Sequence, residues 1–349
     1  MPFIRHYFIL ALLSATAFSA EVPPQPNTSS VDADGLTHIT RVVPVPTTIS
    51  PEAQATLTRP QPSILSSGAS IAEQRAKIAA RQERDAVGCL QIYPAIESEA
   101  TMAGVPVHIV TPLEIGAGKS DQVLLNLHGG GFKTDTGSLL ETIPMANLTR
   151  TKVVAVLYRL APENPFPAAL DDAIAVYQEL LKVYRPEKIG IYGTSAGAIL
   201  TTETAAKIKQ LGLPLPAALG IFSALGDFSK AGDSWSLFSI QGLTGTVAPR
   251  STGALLPDYV GQTDPMNPVL SPLYSDLRGM PPTLFATSTR DMLLSGTVIL
   301  HQAFLRAGVD ARLVVFEALP HAFWLDAQLP ESRTANEIMA HFFTDQLGK

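Results

Sequence analysis

Across residues 101–349, short apolar runs alternate with longer stretches whose apolar positions recur every three or four residues. Seven runs have the length and β-branched content of strands: 105–111 (VPVHIVT), 122–128 (QVLLNLH), 152–158 (KVVAVLY), 188–193 (KIGIYG), 217–223 (AALGIFS), 283–288 (TLFATS) and 312–317 (RLVVFE). Several are apolar at consecutive positions, so both faces must be covered, as in a mostly parallel sheet flanked by helices. In 169–181, Leu170, Ile174, Tyr177 and Leu181 fall on one helical face. Similar patterns follow Ser195, run over 296–307 and close the chain at 334–347. This alternation predicts a doubly wound α/β sheet.

The pattern breaks in three places. Residues 225–276 hold no clear strand and are dense in Gly and Pro, with Trp235, Phe238 and Tyr259 among them; so long a connection predicts a lid or binding element. Residues 70–90 predict a charged helix with a thin apolar stripe, N-capped by Ser70 with Glu73 completing a capping box. Before it, 21–62 is rich in Pro, Thr and Ser and reads as an extended or loosely ordered arm. The first twenty residues run from a basic start (Arg5, His6) through an apolar stretch to small residues ending at Ala20, the layout of a secretory signal peptide. Their apolar run falls short of the ~20 residues a membrane span needs, so no stable membrane insertion is expected after leader removal. A secreted or periplasmic location is the expectation.

Composition narrows the class. The 349 residues are 46% hydrophobic and 16% charged with net charge −6, and no basic stretch alternates with aromatics, which argues against nucleic acid as a partner. Cys89 is the only cysteine, so an internal disulfide is excluded and a small apolar role near a helix is expected for it. Asn27 and Asn147 begin glycosylation sequons, which matter only in a eukaryotic secretory route.

The chemistry starts at Gly193-Thr-Ser195-Ala-Gly197. Chance alone would place G-x-S-x-G in about one chain in ten of this length, so its setting decides. It stands between a strand and a helix, where a sharp turn exposes the serine Oγ and side chains at 193 and 197 would collide with neighbours. The helix that follows aims its first N–H groups at developing negative charge. A serine hydroxyl needs a base, and the base an orienting acid. Asp291 lies just beyond the 283–288 strand and His321 just beyond 312–317, both downstream and both at strand ends. Each alone would pass as structural; both at the right strand ends point to a triad. His128-Gly129-Gly130-Gly131 ends the 122–128 strand, where three glycines let bare N–H groups face a pocket.

The phrases HGGGF, YRLAPENPFPAALDDA (158–173), GTSAG, RDMLLSG and PHAF, in this order from about residue 105 to the C-terminus, resemble the hormone-sensitive-lipase group of α/β-hydrolases, in its GTSAG branch. The resemblance implies the α/β-hydrolase fold and a serine carboxylesterase. Ser195 would be the nucleophile, His321 the general base and Asp291 its orienting acid, with an oxyanion hole from the N–H groups of Gly130, Gly131 and Ala196. It implies a cap built from N-terminal helices at 63–100 and the 225–276 insertion on a catalytic domain at 101–349, and no metal or organic cofactor. Phe132, Trp235, Phe238 and Trp324 are candidate pocket walls. The chain departs from the commoner pattern at Thr194 (Asp), Ala198 (Gly), Ser295 (an acid) and Ala322 (Gly).

Other readings lose their key residues. GAGKS has Leu113 where a phosphate-binding loop needs Gly, and a strand follows it where a helix should; neither H-E-x-x-H nor S-x-x-K occurs. His108, His301 and His341 sit in strand or helix patterns and read as structural. A non-catalytic binding protein on the same scaffold would lack the histidine, and His321 is present. Lactone hydrolysis and acetyl-ester removal use the same machinery and stay open, as does assembly as a homodimer.

Overall fold

The computed structural model describes residues 27–59, 68–247 and 253–348, so the leader expected at 1–20 lies outside the described residues. The chain divides into two units, Met1–Val45 and Pro46–Lys349. In the first, β1 (Thr28–Val31) pairs antiparallel with β2 (Thr37–Thr40). The Asp32 carboxylate makes the turn, accepting the Asp34 and Leu36 N–H groups at 3.1 and 2.8 Å. In the second unit, α1 (Pro51–Thr58) starts at a capping Ser50 with proline at its first position. The Ser50 N–H and hydroxyl both donate to Glu331, at 2.6 and 2.9 Å. These elements correct the expectation of a loose arm over 21–62: local turn and cap chemistry outweighed the low apolar content.

Helix α2 (Ile71–Ile92) carries the capping box expected of Ser70 and Glu73. Then follow β3 (Ala95–Met102), β4 (Val105–Pro112), β5 (Val123–Leu127), α3 (Thr142–Thr149), β6 (Lys152–Val156), α4 (Ala168–Leu180), β7 (Ile189–Thr194), α5 (Ala196–Gln210) and β8 (Ala218–Phe222). The chain finishes with α6 (Asp233–Leu237), α7 (Pro257–Val260), β9 (Thr283–Ser288), α8 (Leu294–Arg306), β10 (Ala311–Phe316) and α9 (Pro330–Leu347). All seven expected strands form within a residue or two of their expected bounds.

Eight strands make one sheet in the order β10-β9-β8-β7-β5-β6-β4-β3. Those from β10 to β6 are parallel, whereas β4 runs antiparallel to both β3 and β6. Alternate residues of β5 enter two separate cores, Val123, Leu125 and Leu127 in one and Leu124 in the other, so each face of the sheet is covered by its own layer. Strand β3 is a further correction, because 95–100 had been grouped with cap helices. It is an edge strand of largely exposed residues (AIESEATM), so no hydrophobic alternation marks it. Helix α3 was also missed: six of its eight residues are buried, which leaves no amphipathic period to read. Among the described residues, 225–276 holds no regular strand, only α6, α7 and a 3₁₀ turn at Pro272–Tyr274. No described helix is long and apolar enough to cross a membrane.

Candidate active site

The parallel strands deliver their C-terminal ends to one edge of the sheet, and every triad candidate sits there. Ser195 joins β7 to α5 with φ 60° and ψ −121°, a conformation that L-residues rarely hold without support. The support is visible: its N–H donates to the Phe222 carbonyl at 2.9 Å. A side chain at 193 would place its Cβ 2.2 Å from the Leu127 oxygen, and one at 197 would come to 1.7 Å from the same atom. The two glycines are therefore clearance for a turn that drives α5 against β5. Ser195 is half-buried, and its hydroxyl has no hydrogen-bond partner among the described residues.

Asp291 is wholly buried in the loop after β9, and its carboxylate is surrounded by donors. Oδ1 accepts from the Leu293 N–H at 2.8 Å and lies 2.8 Å from His321 Nδ1; Oδ2 accepts from the Thr287 hydroxyl at 3.1 Å. Burial pushes the carboxyl up. The charge of His321, with hydrogen bonds from His321, Ser223 and Leu293, more than offsets that and holds it below the usual carboxylate range. Asp291 thus orients His321 as an acceptor for its Nδ1–H, leaving Nε2 without a partner among the described residues and available for proton exchange. Ser223, which the sequence reading missed, lies 2.9 Å from the same Nδ1 through its Oγ. It follows Phe222 with φ 62° and is fully buried. A serine at the end of an apolar strand carries no sequence signal of such a role.

The glycine loop is held from several sides. Gly130 has φ 124°, and a Cβ there would lie 1.9 Å from the Thr134 oxygen, so only glycine fits. The Gly130 and Gly131 N–H groups have no acceptor among the described residues, and Ala196, as first residue of α5, donates to no carbonyl of its own helix. His128 stacks on Tyr158 at 4.1 Å, and the Tyr158 hydroxyl donates to the His128 carbonyl at 2.6 Å. The phrase 158–173 explains itself here: Ala161 N–H donates to the Phe132 carbonyl at 2.8 Å, and Arg159 pairs with Asp172 at 2.9 Å. From α2, Arg75 donates to the Lys133 and Ala161 carbonyls at 2.8 and 2.9 Å and pairs with Glu163 at 2.7 Å, which fastens the charged helix across the loop.

The four pocket-wall candidates separate. Trp324 is buried in the core under the serine turn, where its Nε1–H donates to the Thr194 hydroxyl at 3.0 Å; the expectation of a pocket wall is corrected to a bracing role. Phe132 is likewise fully buried, stacked on Tyr259 at 3.4 Å, and exposes no surface to a cleft. Trp235 and Phe238 are half-buried in and beside α6. The departure at Ser295 also finds its reason. Ser295 and Ser234 of α6 exchange hydrogen bonds at 2.9 and 3.1 Å, and Gly232 packs so close that its Cβ would lie 2.2 Å from that of Ser295.

A doubly wound sheet that gathers a strained serine, an acid-oriented histidine and unpaired N–H groups at its strand ends defines the class as an α/β-hydrolase. The family described as alpha/beta hydrolase fold matches residues 124–325. An acetyl-hydrolase of Streptomyces hygroscopicus is 31% identical over 280 residues, covering 78% of this chain and 90% of its own. An esterase of Acinetobacter venetianus is 30% identical over 235 residues, covering 64% and 75%. Among solved structures, esterase E25 superposes with a TM-score of 0.76 at 30% identity over 88% of this chain and 97% of its own. An esterase from the bacterial hormone-sensitive lipase family gives 0.72 at 28% identity over 85% and 99%. The chain belongs to the alpha/beta hydrolase fold family, in its hormone-sensitive-lipase group of esterases.

Proposed function

We propose that Ser195 is the nucleophile with which this carboxylic ester hydrolase opens short- to medium-chain esters through an acyl-enzyme. Ser195 Oγ attacks the ester carbonyl while His321 Nε2 takes its proton, and Asp291 stabilises the imidazolium. The oxyanion is received by the N–H groups of Gly130, Gly131 and Ala196. Collapse breaks the acyl–oxygen bond and His321 returns the proton to the departing alcohol. Water, activated by the same histidine, then attacks the acyl-serine; the acid leaves and the Ser195 proton is restored. The chain's own groups suffice, so no metal or organic cofactor enters this route. The observation that carries the reading is the 2.8 Å His321–Asp291 pair, set after β10 and β9 on the same sheet whose β7 ends at the strained Ser195.

The relative named acetyl-hydrolase supports acetate as an accepted acyl group. The half-buried Trp235 and Phe238 support a small apolar acyl site, over which α2 and 225–276 form the cap. Residues 1–20 act as a leader that sends the enzyme out of the cytoplasm. The test is hydrolysis of p-nitrophenyl esters from acetate to dodecanoate by the protein and its Ser195→Ala variant. Short esters are expected to turn over fastest, and the variant to lose at least about 10⁴-fold. Equal rates in the two proteins would remove Ser195 from the chemistry.

A further inference from the structure

Beneath the glycine loop lies an acid that the proposed reaction does not use. Glu141 is buried at the entrance to α3. Its Oε2 accepts from Asn126 Nδ2 on β5 at 2.9 Å, its Oε1 accepts from the Gly129 N–H at 2.9 Å, and its backbone carbonyl accepts from the Tyr192 hydroxyl on β7 at 3.1 Å. The chain has cleared room for this group: a Cβ on Gly137 would lie 2.0 Å from Glu141 Oε1. One residue therefore holds the first residue of the glycine loop and is itself held by β7, the strand that ends at the serine turn.

We infer that Glu141 is a positioning residue that locks the glycine loop to the serine turn, setting the oxyanion donors against the nucleophile. This inference rests on the acyl-enzyme reading above. A transition-state oxyanion is stabilised only if its donors are already in place, and here the loop and the serine belong to different strands, β5 and β7. Glu141 is the polar tie between them.

Its neighbours decide how the tie responds to pH. Facing it are Asn126 from β5, Asp135 and His128 from the loop, Tyr192 and Thr194 from β7, and Tyr158 beyond β6. Burial pushes both tyrosines well above their ordinary range, so they stay neutral, while Asp135 is held below the carboxylate range and carries charge. Burial raises Glu141 to about 8 against the pull of its hydrogen bonds. Two donors converge on its carboxyl, so the ionised form grips more firmly than the neutral one, which must place a proton among donors.

The experiment uses the full chain with Glu141→Gln and Tyr192→Phe, kcat and KM on p-nitrophenyl butyrate from pH 6 to 10, and active sites counted by diethyl p-nitrophenyl phosphate. Glu141→Gln turns one accepting oxygen into a donor facing donors. The expected result is a kcat per labelled site lower by about tenfold at pH 9, less than the 10²–10³ lost with an oxyanion donor itself, with KM changed by under about threefold. The wild type is expected to gain activity as pH passes about 8, and the variant to lack that rise. A kcat per site within about twofold of wild type, or an unchanged pH profile, overturns the inference. If Glu141→Gln does not label stoichiometrically, Tyr192→Phe decides, because it removes the β7 hydroxyl that holds Glu141, and unaltered kcat per site there overturns it equally. Failure of the acyl-enzyme reading looks different: wild type itself would not label, and Ser195→Ala would stay active.

Discussion

The strand-end edge around β5 and β7 and the connection at 225–276 hold their shapes by different means. At the first, backbone atoms press on backbone atoms: the Gly193, Gly197 and Gly130 positions have 1.7–2.2 Å where a Cβ would go. No other residue type fits, so the sequence there is readable by motif. At the second, a few side chains pin an otherwise irregular chain. Tyr259 of α7 donates to the buried Glu203 at 2.6 Å, the Ser271 hydroxyl receives the Phe228 N–H at 2.9 Å, and Ser234 and Ser295 clasp α6 to α8. Many residue types could do such pinning, and Leu237, Ile240 and Leu243 are exposed between the pins. Rigid backbone packing sets the chemistry; replaceable anchors set what surrounds it.

The comparison is broken hardest at Asp291. Replacing it with Asn keeps the buried shape but offers His321 an amide, so the imidazole can settle in the tautomer that directs a proton at Ser195. Turnover of p-nitrophenyl butyrate is expected to fall about 10⁴-fold with the thermal midpoint nearly unchanged. A loss below tenfold would mean that His321 is oriented by something else at this edge. The candidate for that is Ser223, whose contribution separates into backbone and hydroxyl. Ser223→Ala removes the hydroxyl and keeps the Cβ at the φ of 62°, whereas Ser223→Gly removes both and suits that φ. Both are expected to lose about tenfold in kcat, the worth of a charge-assisted hydrogen bond of about 1.5 kcal/mol. If Gly retains full activity and Ala does not, Ser223 matters only through its backbone.

Legibility followed the same division. The serine turn, the glycine loop and the positions of Asp291 and His321 were readable because each combines an unusual residue requirement with a strand end. Strands β5 to β9 were readable because burial on both faces forces consecutive apolar residues. Strand β3 was not, since an exposed edge places no demand on residue type. Glu141 and Ser223 act through neighbours far away in sequence, and nothing local marks them beyond an acid in an apolar run and a serine after a strand. Trp324 misled for a related reason: an indole near His321 suits a pocket wall and a core brace equally, and only its bond to Thr194 distinguishes them.

The smallest expected effect belongs to the anchor of 225–276 and concerns stability more than rate. Glu203 is fully buried on α5, with Tyr259 as its hydrogen-bond donor, and burial raises its carboxyl well above the usual range. The folded state therefore keeps a proton that the unfolded chain releases above the ordinary glutamate value of about 4.5. With more protons bound in the folded state, stability falls as pH rises from that value towards the raised folded one. Glu203→Gln keeps an acceptor for the tyrosine and removes the titration. The variant is expected to melt with wild type near pH 4 and above it by a margin that widens through pH 7, by calorimetry. Tyr259→Phe isolates the other half of the pair: it withdraws the only donor to Oε2 among the described residues and should cost about 1–3 kcal/mol at neutral pH, with kcat on short esters changed by less than at Ser223. If Tyr259→Phe instead abolished turnover while the protein stayed folded, the connection would be setting the chemistry as directly as the strand ends do, and the contrast between the two regions would fail.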